Sequence, residues 1–124
     1  MIDAKRRRGR CNQLSGAAAE TSVADDYSRR GRPVIATRWR GQGGEIDLIA
    51  RDGTGYIFIE VKKGPDHDTA LTRVTPRQMQ RVRVGAEECG GTLPGGSLTD
   101  MRFDVATVDA HGHVKIHENA FAGF

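Results

Sequence analysis

The sequence is poor in the residues that build disulfide-rich, zinc-binding and membrane proteins. It has two cysteines, Cys11 and Cys89, which form neither a disulfide framework nor a zinc-ligand spacing. No apolar run approaches the roughly 20 residues that a membrane-spanning helix needs, and the segment after KRRRGR is too polar for the core of a signal peptide. We therefore expect a cytoplasmic protein in a reducing compartment, with no membrane segment.

The chain is also too short for two ordinary domains. Its 124 residues can form one compact domain that buries about two thirds of the surface of the unfolded chain. Sixteen glycines indicate several tight turns, and a charged fraction of 28% is ordinary for a globular protein. We predict a single domain over residues 13–121, preceded by a disordered basic tail over residues 1–12.

Positive charge is concentrated in the first third of the chain. Residues 1–40 contain ten Lys and Arg against four acids, whereas the remaining residues carry a small excess of acids. This asymmetry is typical of a protein that binds a polyanion through one region and keeps carboxylates for another task. For residues 5–10 alone, a tail that only improves solubility explains the charge equally well.

Periodicity and turn residues predict the order of helices and strands. Residues 12–31 show helical spacing and end at a glycine, and a second helix begins at Thr75 and Pro76, with Gln78 at the capping-box position. Strands are predicted at residues 34–40, on both sides of a turn within 44–64, at 101–108 and at 113–118, and residues 63–74 are predicted to be a loop. The order is αβββαββ, which favours an α/β protein with one sheet flanked by helices.

The first predicted helix carries an acid on its apolar stripe. Leu14, Ala17, Ala24 and Tyr27 follow one another at helical spacings. Glu20 lies three residues after Ala17 and four before Ala24, so it is predicted to share the inward face. A carboxylate in that position needs a partner or a function.

Two acids are predicted to face each other in the hairpin at residues 44–64. If residues 52–55 close the turn, Arg51 pairs with Tyr56, and counting back places Asp47 opposite Glu60. Two carboxylates at roughly 5 Å repel each other by about 3 kcal/mol at an effective dielectric constant near 20. A divalent cation such as Mg²⁺ offsets this repulsion, because it binds carboxylate oxygens together with water and phosphate.

A lysine shares the face of the second acid. Lys62 lies two residues after Glu60, where its ammonium group can contact a phosphate or position an attacking water. The same count places Glu45 opposite Lys62. For Glu45, a salt bridge to this lysine is at least as good an interpretation as metal binding.

Taken together, these motifs resemble a known family. An Asp on one strand followed by Glu-x-Lys on the next, here Asp47 and Glu60-Val61-Lys62, resembles the signature of PD-(D/E)xK nucleases. Over nearly residues 16–121, the ordered motifs AAAE, RWR, GEIDLIARDG, FIEVK, VTPRQ, RFDVATV and ENAF are similar to the YraN-like family of small bacterial proteins. These proteins are regarded as endonucleases akin to archaeal Holliday junction resolvases.

The resemblance implies a fold, a site and a reaction. It implies a restriction-endonuclease-like core, and a Mg²⁺ or Mn²⁺ site built from Glu20, Asp47 and Glu60 with Lys62 as the catalytic lysine. Gln78 stands where the family's lysine is expected, and it is either a further catalytic residue, as in other nucleases of the superfamily, or a helix cap. The implied reaction is hydrolysis of phosphodiester bonds in DNA, including the branched or junction DNA of repair and recombination.

The remaining predictions concern DNA binding and assembly. Arg29, Arg30, Arg38 and Arg40 are predicted to hold the DNA backbone without reading its sequence. A homodimer is expected, because symmetric cutting of two strands needs two sites. Two further functions fit the same residues: a DNA-binding module without hydrolysis, and an adaptor of a larger complex in which the acids form a structural ion cluster.

Several conspicuous residues are predicted to have no part in the site. Trp39 can stack on a base, but a tryptophan in a strand is more often part of the core. Asp104 is predicted to be structural. The histidines show no ligand spacing near the carboxylates and are predicted to be surface residues: His67, His111, His113 and His117.

Overall fold

The computed structural model of the protein describes residues 4–90, residue 92 and residues 100–121, with side chains from residue 17 onward within these ranges. The elements are α1 (Ala4–Arg29), β1 (Val34–Arg40), β2 (Glu45–Asp52), β3 (Gly55–Lys63), α2 (His67–Thr72), α3 (Pro76–Gly90), β4 (Met101–Val108) and β5 (Val114–His117). No helix in these ranges is long and apolar enough to cross a membrane.

The five strands form one mixed sheet in the order β1-β2-β3-β4-β5. Neighbouring strands are antiparallel except β3 and β4, which are parallel. A parallel pair needs a long crossover connection, and α2 and α3 provide it. The predicted α/β class, with a mixed sheet between helices, is therefore confirmed.

The connection between β3 and α3 contains a short helix where the sequence predicted only a loop. Asp66 caps α2, because its side chain accepts a hydrogen bond from the Thr69 N–H at 2.7 Å. Ala70 is fully buried and anchors the helix to the sheet. A helix of six residues is too short to show a helical period in the sequence, so the predicted order lacks this one element.

Helix α1 is longer than predicted and turns a different stripe toward the sheet. Its backbone is helical from Ala4, whereas the sequence placed a disordered tail over residues 1–12. The buried positions recur every four residues at Ala19, Val23 and Tyr27. Glu20 is half-buried beside this stripe, and Ala24 lies at its margin.

Both faces of the sheet are buried. On the α3 side, Met79, Val82 and Ala86 pack with Ile49, Phe58 and Val105. On the α1 side, Ala19, Val23 and Tyr27 pack with Leu48, Ile57, Ile59 and Ala106. Because both faces are covered, the central strands are apolar over most of their length, and any charged group within them needs a partner.

The start of β2 is held tightly against α3. A Cβ atom on Gly44 would collide with the backbone of Gly85, so the strand and the helix touch at two glycines. Glu88 of α3 accepts hydrogen bonds from the N–H groups of Gln42 and Gly43, at 2.6 and 2.8 Å. These contacts, which the sequence did not indicate, determine the path along which β2 enters the sheet.

Candidate functional site

The β2–β3 hairpin has the register that its turn predicted. Its paired positions extend as far as Leu48 and Ile59, and the next residues along the two strands are Asp47 and Glu60. Beyond the last pair, the carboxylate of Asp47 accepts a hydrogen bond from the Val61 N–H at 2.8 Å. The side chain of Asp47 thus bonds to the backbone of β3 and lies beside Glu60.

In both β1 and β2, the regular alternation of side chains between the two faces of the sheet is interrupted at the level of Asp47. In each strand, two residues three positions apart pack on the α3 side: Ile46 and Ile49 in β2, and Ala36 and Trp39 in β1. Residues three apart in a regular strand point to opposite faces, so each strand contains an irregularity between these positions. By the register, Arg38 lies opposite Asp47, and its backbone is in the left-handed region with a φ of 50°.

The two acids lie in a poorly solvated position. Glu60 is 8% exposed and Asp47 is half-buried. Burial, followed by the negative charge of Asp47, raises the pKa of Glu60 to about 7. Burial also raises the pKa of Asp47, although the hydrogen bond from the Val61 N–H acts in the opposite direction. The pair therefore ionises fully only with compensation from a positive charge.

Lys62 provides part of that compensation. Its Nζ lies 3.3 Å from Glu60 Oε1, and four fifths of its side chain is buried, with 21% exposed. The predicted alternative of a Glu45–Lys62 salt bridge is wrong, because Glu45 accepts a hydrogen bond from Arg81 of α3 at 2.7 Å. The irregularity in β2 and its contact with α3 carry Glu45 away from β3.

A cleft of about 240 Å³ opens beside Asp47, between α1 and the first two strands. Its lining combines three acids and two arginines with one apolar residue: Glu20, Glu45, Asp47, Arg38, Arg40 and Ile46. Glu20 reaches the cleft from α1, and its Oε2 accepts a hydrogen bond from Arg38 Nε at 3.1 Å. The predicted third acid is therefore present at the cleft, but it is bound to an arginine.

The acids form a pair rather than a closed metal-binding triad. Among the residues whose side chains the structure describes, no three His, Cys, Asp or Glu groups are gathered as ligands of one ion. Asp47 and Glu60 converge, whereas Glu20 is turned toward Arg38. Two carboxylates are nevertheless sufficient for Mg²⁺, which often binds one or two of them and completes its shell with water and phosphate.

Comparison with other proteins shows the family to which this chain belongs. A family model described as the uncharacterised protein family UPF0102 matches residues 19–108. The chain belongs to the UPF0102 family. A UPF0102 protein of Cereibacter sphaeroides ATCC 17029 is 54% identical over 92% of this chain and 97% of its own. Another, from Ruegeria sp. TM1040, is 45% identical over 98% of each chain. The family assignment made from the motifs is confirmed, while the nuclease superfamily stays a prediction.

The arginines assigned to DNA binding differ in their surroundings in this UPF0102 protein. Arg29 and Arg30 both lie against Asp26 of α1, at 3.8 and 2.6 Å. Arg40 lines the cleft and is exposed. The structure therefore brings two of the four arginines, Arg38 and Arg40, to the acidic site.

Gln78 forms the capping box of α3. Its side-chain oxygen accepts a hydrogen bond from the Thr75 N–H at 3.0 Å, and its own N–H donates to Thr75 Oγ1 at 3.1 Å. These two bonds are those of the cap that the sequence indicated. A catalytic role for Gln78 stays a prediction.

Two histidines of this UPF0102 chain are more than surface residues. His67 Nδ1 and His117 Nε2 lie 2.7 and 3.0 Å from Oγ1 of Thr107, which is fully buried. His111 and His113 are exposed, as predicted. The interaction was missed because α2, which carries His67, was not predicted. Trp39 packs against the core and Asp104 is buried in a hydrogen-bond network, which confirms the structural roles predicted for both.

We expect the stability of the metal-free protein to fall as the pH rises from about 4.5 to about 7. The pKa of Glu60 is higher in the folded chain than its ordinary value of 4.5, so the unfolded chain releases this proton first and gains stability relative to the fold. The contribution of Glu60 to the free energy of unfolding is on the order of 2 kcal/mol. It is complete below pH 4.5 and is lost as the pH rises to about 7. Urea unfolding in EDTA at several pH values measures it.

Two variants separate Glu60 from other titrating groups. Glu60→Gln should reduce the loss of stability between pH 4.5 and pH 7, because a glutamine side chain does not titrate. Glu87→Gln, at an exposed position on α3, should keep the decline of the wild type. Equal slopes in Glu60→Gln and in the wild type would contradict the assignment.

Proposed function

We propose that this protein is a Mg²⁺- or Mn²⁺-dependent endonuclease of the PD-(D/E)xK type that hydrolyses phosphodiester bonds in DNA. The observation that carries the proposal is the carboxylate pair of Asp47 and Glu60. Asp47 is half-buried, Glu60 is buried, and Lys62 lies beside Glu60. Two buried acids placed together without sufficient positive charge do not stabilise a fold. A cation site explains why this arrangement is present.

The donor set fits a hard divalent cation. Oxygen ligands suit Mg²⁺ and Mn²⁺, and burial raises the pKa of both Asp47 and Glu60 even with the Lys62 ammonium nearby. Asp47 and Glu60 would hold the ion, with Glu20 across the cleft as the third acid. When bound, such an ion lowers the pKa of a coordinated water and neutralises charge on the phosphate.

The remaining groups act on the substrate. Lys62 presents its ammonium group next to Glu60, where it can orient a phosphate oxygen or the attacking water. Arg40 lines the cleft beside Asp47 and would supply a guanidinium for a neighbouring phosphate of the DNA strand. Contacts of this kind hold the backbone and do not read bases, so the shape of branched or junction DNA is the proposed basis of selection.

The proposal extends to assembly and location. A homodimer would place one site on each of the two strands to be cut, since a single chain supplies one carboxylate pair. We propose that the protein acts in the cytoplasm, where bacterial DNA lies.

Asp47→Asn should stabilise the metal-free protein by about 1 kcal/mol and abolish its stabilisation by Mn²⁺. The asparagine oxygen can still accept the Val61 N–H, while the repulsion of Glu60 disappears. In the wild type, an ion at a hundred times its dissociation constant adds about 2.7 kcal/mol. Melting curves in EDTA and in Mn²⁺ measure both effects, and cleavage of branched DNA should disappear together with the Mn²⁺ response.

Asp25→Asn is the matched control for this substitution. Asp25 is exposed on α1, so its amide variant should keep the Mn²⁺ response of the wild type. Two results together would contradict the proposed metal site: a wild type that melts at the same temperature with and without Mn²⁺, and an Asp47→Asn variant that is less stable than the wild type in EDTA. In that case Asp47 serves the fold through its bond to β3.

A DNA-binding module without hydrolysis is the second candidate. The observation that favours it is the Arg38–Glu20 contact, which leaves two converging carboxylates among the described residues. Incubation with branched, flapped and linear DNA in Mn²⁺ decides between the two functions. Binding of these substrates without any cutting would favour the module.

A further inference from the structure

Arg38 has a backbone conformation that its side chain makes unfavourable. Its φ of 50° lies in the left-handed region, where the Cβ atom of an L-residue crowds the following carbonyl oxygen. Glycine adopts this region without that cost. Strained residues of this kind occur mainly where the surrounding structure and the function require a particular side chain. The side chain of Arg38 is therefore the feature to explain.

That side chain joins the two walls of the cleft. Arg38 belongs to β1, and its Nε donates to Glu20 of α1 at 3.1 Å. The Arg38 side chain is 54% exposed and that of Glu20 is 22% exposed. By the strand register, Arg38 also lies opposite Asp47. The Arg38 guanidinium thus binds the acid on α1, and both line the cleft that Asp47 also lines.

We propose that Arg38 is a substrate-responsive gate on the acidic site, an inference that rests on the proposed nuclease function. In the free protein, its guanidinium neutralises Glu20 and keeps this carboxylate from the cation position at Asp47. When a phosphodiester enters the cleft, Arg38 exchanges Glu20 for a phosphate oxygen. Glu20 is then released as the third carboxylate, so the site is completed only with DNA present.

The chemistry of the three groups makes this exchange favourable. An exposed arginine–carboxylate pair contributes little to stability, so its loss is easily offset. A phosphodiester offers two oxygens to the planar guanidinium, which binds them in bidentate fashion. Arg40 is exposed in the same cleft without a carboxylate partner among the described residues. It can hold the DNA while Arg38 changes partner.

The first arm of the test measures Mn²⁺ affinity, by the electron paramagnetic resonance signal of the free ion, in the absence of DNA. Arg38→Gln should tighten Mn²⁺ binding by about tenfold, because Glu20 becomes available. Arg40→Gln removes an equal charge from the same cleft and should tighten binding by much less. In a Glu20→Gln background, Arg38→Gln should have no larger effect than Arg40→Gln.

The second arm measures DNA affinity by fluorescence anisotropy in EDTA. Glu20→Gln should tighten DNA binding by about fivefold, because Arg38 is free to bind phosphate. The matched variant Glu45→Gln also removes a cleft carboxylate, but one that is held by Arg81. When Arg38 is replaced by Gln, the advantage of Glu20→Gln over Glu45→Gln should disappear.

The outcomes distinguish a failure of the proposed gate from a failure of the proposed nuclease function. Mn²⁺ binding that depends on Asp47 but responds equally to Arg38→Gln and Arg40→Gln would overturn the gate and leave the proposed nuclease site intact. If neither the wild type nor Arg38→Gln binds Mn²⁺, both proposals are wrong. Arg38→Gly, which relieves the backbone strain, replaces Arg38→Gln in both arms if the glutamine variant does not fold.

Discussion

Lys62→Met should slow DNA cleavage by about a thousandfold, while the protein stays folded and still responds to Mn²⁺. The ammonium group lies 3.3 Å from Glu60 Oε1, and under the proposed nuclease function it would lie next to the phosphate that gains negative charge during hydrolysis. A positive charge preorganised at such a position lowers the barrier by up to about 4 kcal/mol, which corresponds to about a thousandfold in rate. Methionine keeps the length and the buried stem of the side chain but removes the charge.

Single-turnover cleavage with saturating Mn²⁺ measures this effect without a contribution from product release. Lys115→Met is the matched control, because Lys115 is exposed on β5 and its loss should leave the rate of cleavage within about twofold of the wild type. Melting curves with and without Mn²⁺ show whether the ion still binds. Cleavage by Lys62→Met at the wild-type rate would exclude the lysine from catalysis.

Asp104→Ala should destabilise the protein by about 3 to 5 kcal/mol. The Asp104 carboxylate has no exposed surface and accepts hydrogen bonds from Tyr27 Oη at 2.7 Å, from Arg102 at 2.9 Å and from the Asn119 N–H at 3.0 Å. Alanine leaves all three donors without their acceptor. The Arg102 guanidinium is the most costly of them, because it loses two hydrogen bonds and, among the described residues, keeps only a 3.7 Å ion pair with the exposed Glu118.

Urea unfolding measures this loss, and the pattern across variants identifies its cause. Tyr27→Phe removes one donor and should cost about 1 to 2 kcal/mol, because the carboxylate keeps its other partners. Asp25→Ala, on the exposed face of α1, should change stability by less than about 0.5 kcal/mol. A loss below 1 kcal/mol in Asp104→Ala would mean that water replaces the carboxylate in this network.

The Asp104 network also bears on the site. Tyr27 belongs to α1, the helix that carries Glu20 to the cleft, and Asp104 belongs to β4 in the sheet. Loss of this bond should loosen α1 against the sheet and weaken the Arg38–Glu20 contact. Tyr27→Phe therefore tests how far the position of Glu20 depends on the docking of α1.

Local patterns were sufficient to predict the strands and the meeting of the two acids. The pairing of Arg51 with Tyr56 follows from the length of the turn, and the alternation of side chains then places Asp47 near Glu60. The cap of α3 was predicted because Thr75 and Gln78 are three residues apart in the chain. Each of these features depends on neighbours that lie close in sequence.

The sequence by itself determined the α/β class, the register of the hairpin and the place of Asp47 and Glu60, since turns, caps and strand alternation act over a few residues. Three long-range contacts of charged side chains were decided only by the tertiary structure. Glu20 and Arg38 are separated by 18 residues, Glu45 and Arg81 by 36, and Tyr27 and Asp104 by 77. Such contacts arise when α1 and α3 pack on opposite faces of the sheet, which places Arg38 against Glu20 of α1 and Glu45 against Arg81 of α3. Packing of this kind depends on the shape of two surfaces, which no local pattern of residues specifies.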